Sequence, residues 1–116
     1  MDCPLDYSLC DQTVTSYRRE RDGSVARTVH PRAFLDFKKV RNVEKTGSAD
    51  AASFLLVVPG SADIREGDKV LMGDGPEIGP SDWASFIPSK VRGLCVVRWT
   101  DPKHWRGEVC HVEAGG

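Results

Sequence analysis

Short runs of alternating apolar and polar residues, separated by glycine and proline, fill most of the chain and predict β-strands. Residues 13–19 form the first run, which is rich in β-branched and aromatic side chains. The Asp22-Gly23 pair that follows favours a hairpin turn into a second strand at residues 24–30. We expect Pro31 to end that strand, because proline has no N–H group to donate to the ladder.

The middle of the chain alternates between strands and polar segments. Residues 33–40 place Leu35 and Phe37 on one face and predict a half-buried strand, with a short helix as the competing interpretation. Residues 41–53 are polar and lack apolar periodicity, which predicts a long exposed loop between strands. Residues 54–58 are apolar on both faces and predict the central strand.

The last part of the chain also consists of short elements separated by turns. In chain order the pattern predicts a strand at residues 69–72, one helical turn at residues 81–86 with Ser81 as its N-cap, a strand at residues 94–99, a turn at residues 101–103 and a strand at residues 105–114. Six or seven short strands with frequent glycine and proline turns indicate an all-β fold. We expect a small β-barrel with a long inter-strand loop and a short helical turn.

The length and charge of the chain limit its function. Its 116 residues are enough for one domain, which we divide into an N-terminal arm, residues 1–10, and a single β-barrel domain, residues 11–116, with the loop 41–53 exposed. A net charge of -1 provides no overall attraction to nucleic acid or to a membrane. The sequence shows no pattern of a signal peptide or a membrane span, so we expect it in the cytoplasm or in a particle assembled there.

The cysteines are Cys3, Cys10, Cys95 and Cys110. We expect four free thiols, as is usual in a reducing cytoplasm, and a Cys3–Cys10 disulfide is the alternative in an oxidising setting. Zinc sites use close pairs of ligands, and these spacings match no such template. We therefore predict no metal site.

The sequence suggests no catalytic group either. His30, His104 and His111 have no nucleophile and acid paired with them in the sequence, so we expect structural roles. Cys95, Cys110 and His111 resemble a thiol-protease set only in composition. Cys110 and His111 are adjacent, and on a strand their side chains should point to opposite faces.

The acidic residues Asp63, Glu66 and Asp68 flank Gly67 and loosely suggest calcium binding, but the EF-hand spacing is absent. The favoured interpretation is that Asp68 accepts hydrogen bonds from nearby backbone amides and fixes a bend. We therefore predict a protein without enzymatic activity and without a cofactor.

The tryptophans and one basic segment are the remaining candidates for binding. Core filling is favoured for Trp99, whereas Trp83 and Trp105 are equally expected in the core or at an interface, where tryptophan is enriched. Residues 38–50 have an excess of two positive charges, which would face DNA in a channel or simply be solvated.

Residues 58–73 are the most informative stretch, because a strand leads through a Pro-Gly turn and a polar bend to Gly-Asp and another strand. The residues of this structural bend are Pro59, Ile64, Gly67, Asp68 and Gly73. Together with an opening strand at residues 11–17 and a closing strand at residues 111–116, the pattern resembles the head-closure proteins of long-tailed bacteriophages and of prophages of Gram-positive bacteria. These are also described as minor capsid or head–tail connector proteins. The resemblance covers residues 11–116, although residues 81–88 and the cysteines lie outside its pattern.

The resemblance implies a non-enzymatic β-barrel protein of the virion neck, assembled in the host cytoplasm. Six or twelve copies would form a ring below the portal-bound adaptor, with the tail on the other face and packaged DNA nearby. The channel loop would include Lys38, Lys39, Arg41, Lys45 and Gly47. The candidate contacts with neighbouring subunits or partners are Leu5, Tyr7, Leu9, Trp83 and Trp105.

Three other interpretations stay open. The tail-completion protein of the same joint is similar in shape to a head-closure protein. A free β-barrel module could bind a peptide or nucleic acid through Trp83 and Trp105, and it would be a stable monomer with an ordered aromatic groove. A small enzyme using Cys110 and His111 would need a reactive thiol of low pKa.

Overall fold

The computed structural model describes residues 6–39 and 52–116. In chain order its elements are β1 (Gln12–Arg19), β2 (Val25–Lys39), β3 (Ala52–Pro59), β4 (Lys69–Met72), a 3-10 helix (Pro80–Ser85), β5 (Cys95–Val96), β6 (Trp99–Trp105) and β7 (Glu108–Gly115). Every strand pairing is antiparallel. The predicted all-β class and the short helical turn are confirmed.

Strand β2 runs through Pro31, so the prediction that this proline ends a strand is wrong. The first half of β2 pairs with β1, ending with the pair of Ala33 and Gln12, and the second half pairs with β3 from Phe34 onward. Pro31 lies inside the β1–β2 ladder at its register shift, between the pair of His30 with Val14 and the pair of Ala33 with Gln12. A register shift of this kind leaves residues unpaired, so the missing N–H group of Pro31 is tolerated there. The second half of β2 is the predicted half-buried strand, and the competing helix does not form.

The strands follow one another in the order β5-β4-β1-β2-β3-β7-β6, which puts β5 and β6 at the two ends of the sheet. These end strands are consecutive in the chain, joined only by Val97 and Arg98. The N–H group of Val97 donates to Asp68 O at 2.9 Å, and that of Arg98 donates to Gly115 O at 2.8 Å. The sheet thus bends back on itself through this link, but its hydrogen-bonded ladder is not closed into a barrel.

The core consists of two apolar clusters on opposite faces of β1. The larger cluster joins both halves of the sheet and includes Val14, Leu56 and Val70, all fully buried. The smaller cluster contains Tyr17 and Phe86, whose rings pack edge to face at 4.7 Å. Because residues 76–94 supply much of the smaller cluster, β1 is buried on both faces at residues 14–17.

Three predictions for the C-terminal part need correction. The 3-10 helix has Gly79 as its N-cap rather than Ser81, and the N–H group of Gly79 donates to Asp82 Oδ2 at 2.9 Å. The strand predicted at residues 94–99 shortens to the two residues of β5. The predicted turn at residues 101–103 lies inside β6, and the chain reverses instead at Arg106 and Gly107, with φ of 52° and 82°. An edge strand such as β6 tolerates a proline, and paired positive φ angles are typical of hairpin turns.

Candidate functional site

The bend between β3 and β4 is built around a buried carboxylate. Asp68 is 2% exposed, and its Oδ2 accepts the backbone N–H group of Arg65 at 3.0 Å. Ile64 is buried beside it, and Gly67 has a φ of +89°, which favours glycine. Asp68 thus accepts one backbone amide of the bend, which is the kind of bond predicted for it. At the ends of the bend, Pro59 is the last residue of β3 and Gly73 follows β4, also with a φ of +89°.

Arg18 of β1 binds this carboxylate from the other side. Its Nε donates to Asp68 Oδ1 at 2.9 Å and its Nη2 donates to Oδ2 at 2.8 Å. Its Nη1 donates to Asp63 Oδ2 at 3.0 Å, so one guanidinium joins two acids of the bend. These bonds raise the pKa of Arg18, and the pKa of Asp63 is lowered mainly by Arg18 and further by Arg65. The sequence analysis did not identify Arg18. The available signal was its position two residues after Ser16, which places an arginine on the core face of β1.

A small polar pocket of about 90 Å³ lies beside Arg18. Within it, Ser16 Oγ and His30 Nε2 are hydrogen-bonded at 2.9 Å, a pairing that the sequence interpretation did not find. Burial lowers the pKa of His30, while the Asp68 charge opposes that shift. A neutral imidazole can accept the serine proton, but both Asp68 oxygens are already bound to Arg18. Asp68, whose charge acts on His30, therefore binds the arginine rather than the histidine.

A larger cleft of about 290 Å³ lies on the other side of the bend, and we call it the Trp83 cleft. Its lining residues are Arg18, Arg19, Arg65, Glu66, Gly67, Asp68 and Trp83. Behind it, Lys69 Nζ is 4.0 Å from the centre of the Trp83 ring. The same ammonium donates to Trp83 O at 2.8 Å and to Phe86 O at 2.6 Å. Burial lowers the pKa of Lys69, since it takes the charged group out of water.

The predicted contact residues of the arm pack partly on the chain itself. Tyr7 Oη is hydrogen-bonded to His111 Nδ1 at 2.6 Å, and His111 Nε2 lies 3.0 Å from Glu113 Oε2. Leu9 is 73% exposed, whereas Leu5 lies outside the described residues. Tyr7 therefore holds the end of the arm against β7, and Leu9 is the member of this pair that faces solvent.

The tryptophans take different positions from those expected. Trp99 is 43% exposed, so the prediction that it fills the core is wrong. Its indole lies over Gly115, where an added Cβ would meet Trp99 Cζ2 at 2.5 Å. Trp105 is 42% exposed at the other end of β6, with the Arg106 guanidinium 5.5 Å from its ring centre. Trp83 is only partly buried and is not joined with Trp105 in the cleft.

The predicted channel loop lies almost entirely outside the described residues. Lys38 and Lys39 end β2, where their backbones pair with Ser53 and Ala52. The predicted loop boundary at residue 53 is therefore corrected, because β3 begins at Ala52. Arg41, Lys45 and Gly47 fall in the part of the chain that is not described.

The cysteine prediction also needs correction. Cys110 is disulfide-bonded, so the chain does not have four free thiols. Cys10 is a free buried thiol, which excludes the Cys3–Cys10 alternative. Cys95 is free as well, and burial raises its pKa to about 11. Sequence spacing gave no sign of this pattern because disulfides depend on distances in the folded chain. An enzyme using a Cys110 thiol is inconsistent with this bond.

Within residues 6–39 and 52–116, no three or more His, Cys, Asp or Glu side chains are arranged to hold a metal ion. The same part of the chain contains no helix of the length and apolar character that a membrane crossing requires. No family model, curated protein or solved structure matches the chain.

Proposed function

We propose that the chain is a structural subunit of a phage neck, a head-closure protein that joins the portal and adaptor to the tail. The observation behind this proposal is the free edge of β6, which has exposed tryptophans at both ends of the strand. β6 pairs with β7 alone among the described strands, so its other edge is open. Open edges are templates for pairing with another chain, and tryptophan is enriched among residues that dominate interface energies.

The side chains of β6 favour an ordered contact over non-specific adhesion. Trp99, Asp101 and Lys103 occupy every second position of the strand and so share one face. Lys103 Nζ is 2.7 Å from Asp101 Oδ2. An apolar ring next to an ion pair gives a contact both area and direction. A head-to-tail contact of this kind between identical chains generates a closed ring when the rotation closes. A ring of six or twelve copies would suit the joint between head and tail.

A gene deletion in the phage or prophage that encodes the chain tests this function. We expect DNA-filled heads that lose their DNA and stay unjoined to complete tails, and we expect the wild-type gene supplied in trans to restore infectious particles. A variant with Trp99→Ser and Trp105→Ser should fold but fail to restore them. Heads that keep their DNA beside defective tails would point to the tail-completion role instead. Normal infectious particles without the chain would contradict any neck role.

A further inference from the structure

The Trp83 cleft has more positive charge than its own acids compensate. Arg18 is fully occupied by Asp68 and Asp63. Among the described residues the Arg65 side chain pairs with Asp63 alone, and both side chains are more than 60% exposed, so this ion pair is weak. The Arg19 side chain lines the cleft and has no hydrogen bond or ion pair to any described residue. Two guanidinium groups are thus available to a ligand.

Lys69 adds a positive charge behind the aromatic wall. It is 7% exposed, and its hydrogen-bond partners in the described chain are the carbonyl oxygens of Trp83 and Phe86, which are neutral. A buried ammonium without a carboxylate partner produces a positive potential that reaches the cleft, since screening by water is reduced there. Among the residues that line the cleft, Glu66 carries the negative charge that opposes this potential.

The size and mixed charge of the cleft favour a protein ligand over a nucleic acid. Its volume of about 290 Å³ is at the lower limit for ligand pockets, which suits one side chain rather than an extended polymer. A polyanion would also meet the exposed carboxylates of Glu66 and Asp63. A single carboxylate can instead bind a guanidinium in bidentate geometry, with Trp83 packing against the apolar part of the partner.

We propose that the Trp83 cleft is a docking site for one acidic side chain of a partner protein. Arg19 and Arg65 bind its carboxylate, and the Trp83 indole contacts its aliphatic stem. Glu66 at the rim disfavours partners with several adjacent acids. This inference does not depend on the neck function, because it follows from the cleft alone.

The three tryptophans make this proposal testable by NMR. The indole N–H signals of 15N-labelled protein are assigned with Trp83→Phe, and a blocked Leu-Glu-Leu peptide is titrated in. We expect the Trp83 signal to shift while those of Trp99 and Trp105 stay in place. A matched Leu-Gln-Leu peptide should have little effect. Loss of a charge-assisted hydrogen bond should weaken binding about tenfold or more in Arg19→Gln and in Arg65→Gln.

Controls separate a specific site from general charge attraction. Arg21→Gln removes an exposed arginine of the adjacent hairpin that does not line the cleft, and it should leave binding unchanged. Equal shifts with the Gln peptide, or equal weakening by Arg21→Gln, would overturn the proposal. Tighter binding of an oligodeoxythymidylate with the same dependence on Arg19 and Arg65 would overturn it too, in favour of a nucleic-acid site.

Discussion

At the scale of single residues, Arg18 and Asp68 form an ion pair whose loss should be costly. Asp68 is almost fully buried and the Arg18 side chain is 22% exposed, so the bond is shielded from water on one side. Removing one partner of such a pair leaves a charge without compensation, which costs more than the intact pair contributes. In the pair between Arg18 and Asp63 the carboxylate is exposed, so the loss of this pair should not carry the same excess cost.

Asp68→Ala should therefore lower the free energy of unfolding by about 3 kcal/mol. The Asp63→Ala variant is its control, because it removes a 63% exposed carboxylate on the same guanidinium. That change should cost less than about 1 kcal/mol. Urea denaturation followed by tryptophan fluorescence measures both values. Equal losses in the two variants would show that burial of Asp68 does not determine the energy.

His30 should make stability depend on pH. Burial lowers its pKa in the folded chain, so below its usual value of about 6.5 the unfolded chain binds a proton that the folded chain does not. Stability should then fall as pH decreases from about 7 to 5. The lowered pKa of Asp63 acts in the same direction but only below its ordinary value of about 4, so the two windows are separate.

The variant His30→Gln tests this dependence. Glutamine can still hydrogen-bond Ser16 but does not titrate, so the slope of unfolding free energy against pH should be smaller between pH 7 and 5. Denaturation at several pH values provides the slope, and an unchanged slope would assign it to other groups.

The site could be predicted from sequence only where its contacts are local. The bond between Asp68 and the Arg65 amide spans three residues, and the turn-forming residues around it indicated a bend. The bond between Arg18 and Asp68 spans 50 residues and depends on β1 lying beside β4. Ser16 and His30 likewise meet only because β1 and β2 pair in their particular register. Such contacts follow from tertiary structure and have no local signature.

At the scale of elements, the turn after β4 fixes the second core cluster against β1. The Gly75 N–H group donates to Thr15 Oγ1 at 2.9 Å, and Tyr17 Oη donates to Pro76 O at 2.7 Å. Gly75 is buried, and a Cβ there would overlap the Tyr17 hydroxyl and touch Leu71 Cδ2 at 3.0 Å. The glycine is needed here for space, because the turn approaches the strand closely.

Gly75→Ala should lower the free energy of unfolding by about 1–3 kcal/mol through overpacking. Tyr17→Phe alone should cost about 1 kcal/mol, the usual contribution of one hydrogen bond. The double variant should cost less than the two changes together, because phenylalanine lacks the hydroxyl that the new methyl group would overlap. Denaturant unfolding of all four proteins checks this coupling, and additive losses would contradict the steric explanation.

The alternation of apolar and polar residues predicted where strands lie along the chain, but it did not predict where each strand begins and ends. β4 was predicted at its observed residues, because a short apolar run between glycines has few alternatives. Pro31 and Pro102 were both taken as strand breakers, yet one lies at a register shift within a ladder and the other on an edge strand. A proline breaks a strand only where its N–H group would be needed, and that depends on the neighbouring strand.

At the scale of the whole molecule, the hydrogen-bonded ladder formed by the described strands stays open. Alternating patterns indicate which strands exist but not which strand lies at an edge. The order β5-β4-β1-β2-β3-β7-β6 depends on two pairings between strands distant in sequence, β1 with β4 and β3 with β7. The exposure of Trp99 follows from the same order, since Trp99 lies on β6, at one end of the sheet, and its indole lies over a glycine. Barrel closure and the position of Trp99 were therefore beyond the reach of local patterns.

The open edge leads to a final prediction about assembly. In the isolated chain, the β6 amides that point away from β7 should exchange their hydrogens rapidly, because no described strand covers them. When the chain is bound to DNA-filled heads that lack it, those amides should become protected by a neighbouring copy. β1 is paired with a strand on each side and is the internal control, so its exchange should not change.

Substitutions at the edge show whether protection comes from this contact. Trp99→Ser with Trp105→Ser should abolish the protection, whereas Val29→Ser should keep it, since Val29 is a 37% exposed side chain on β2, away from the β6 edge. Hydrogen exchange read by mass spectrometry resolves both regions of the chain. A chain that binds the heads while β6 exchanges as fast as before would place the subunit contact elsewhere. In that case the free edge would be compatible with monomeric copies, each held by its partners, and the ring would lose its structural basis in β6.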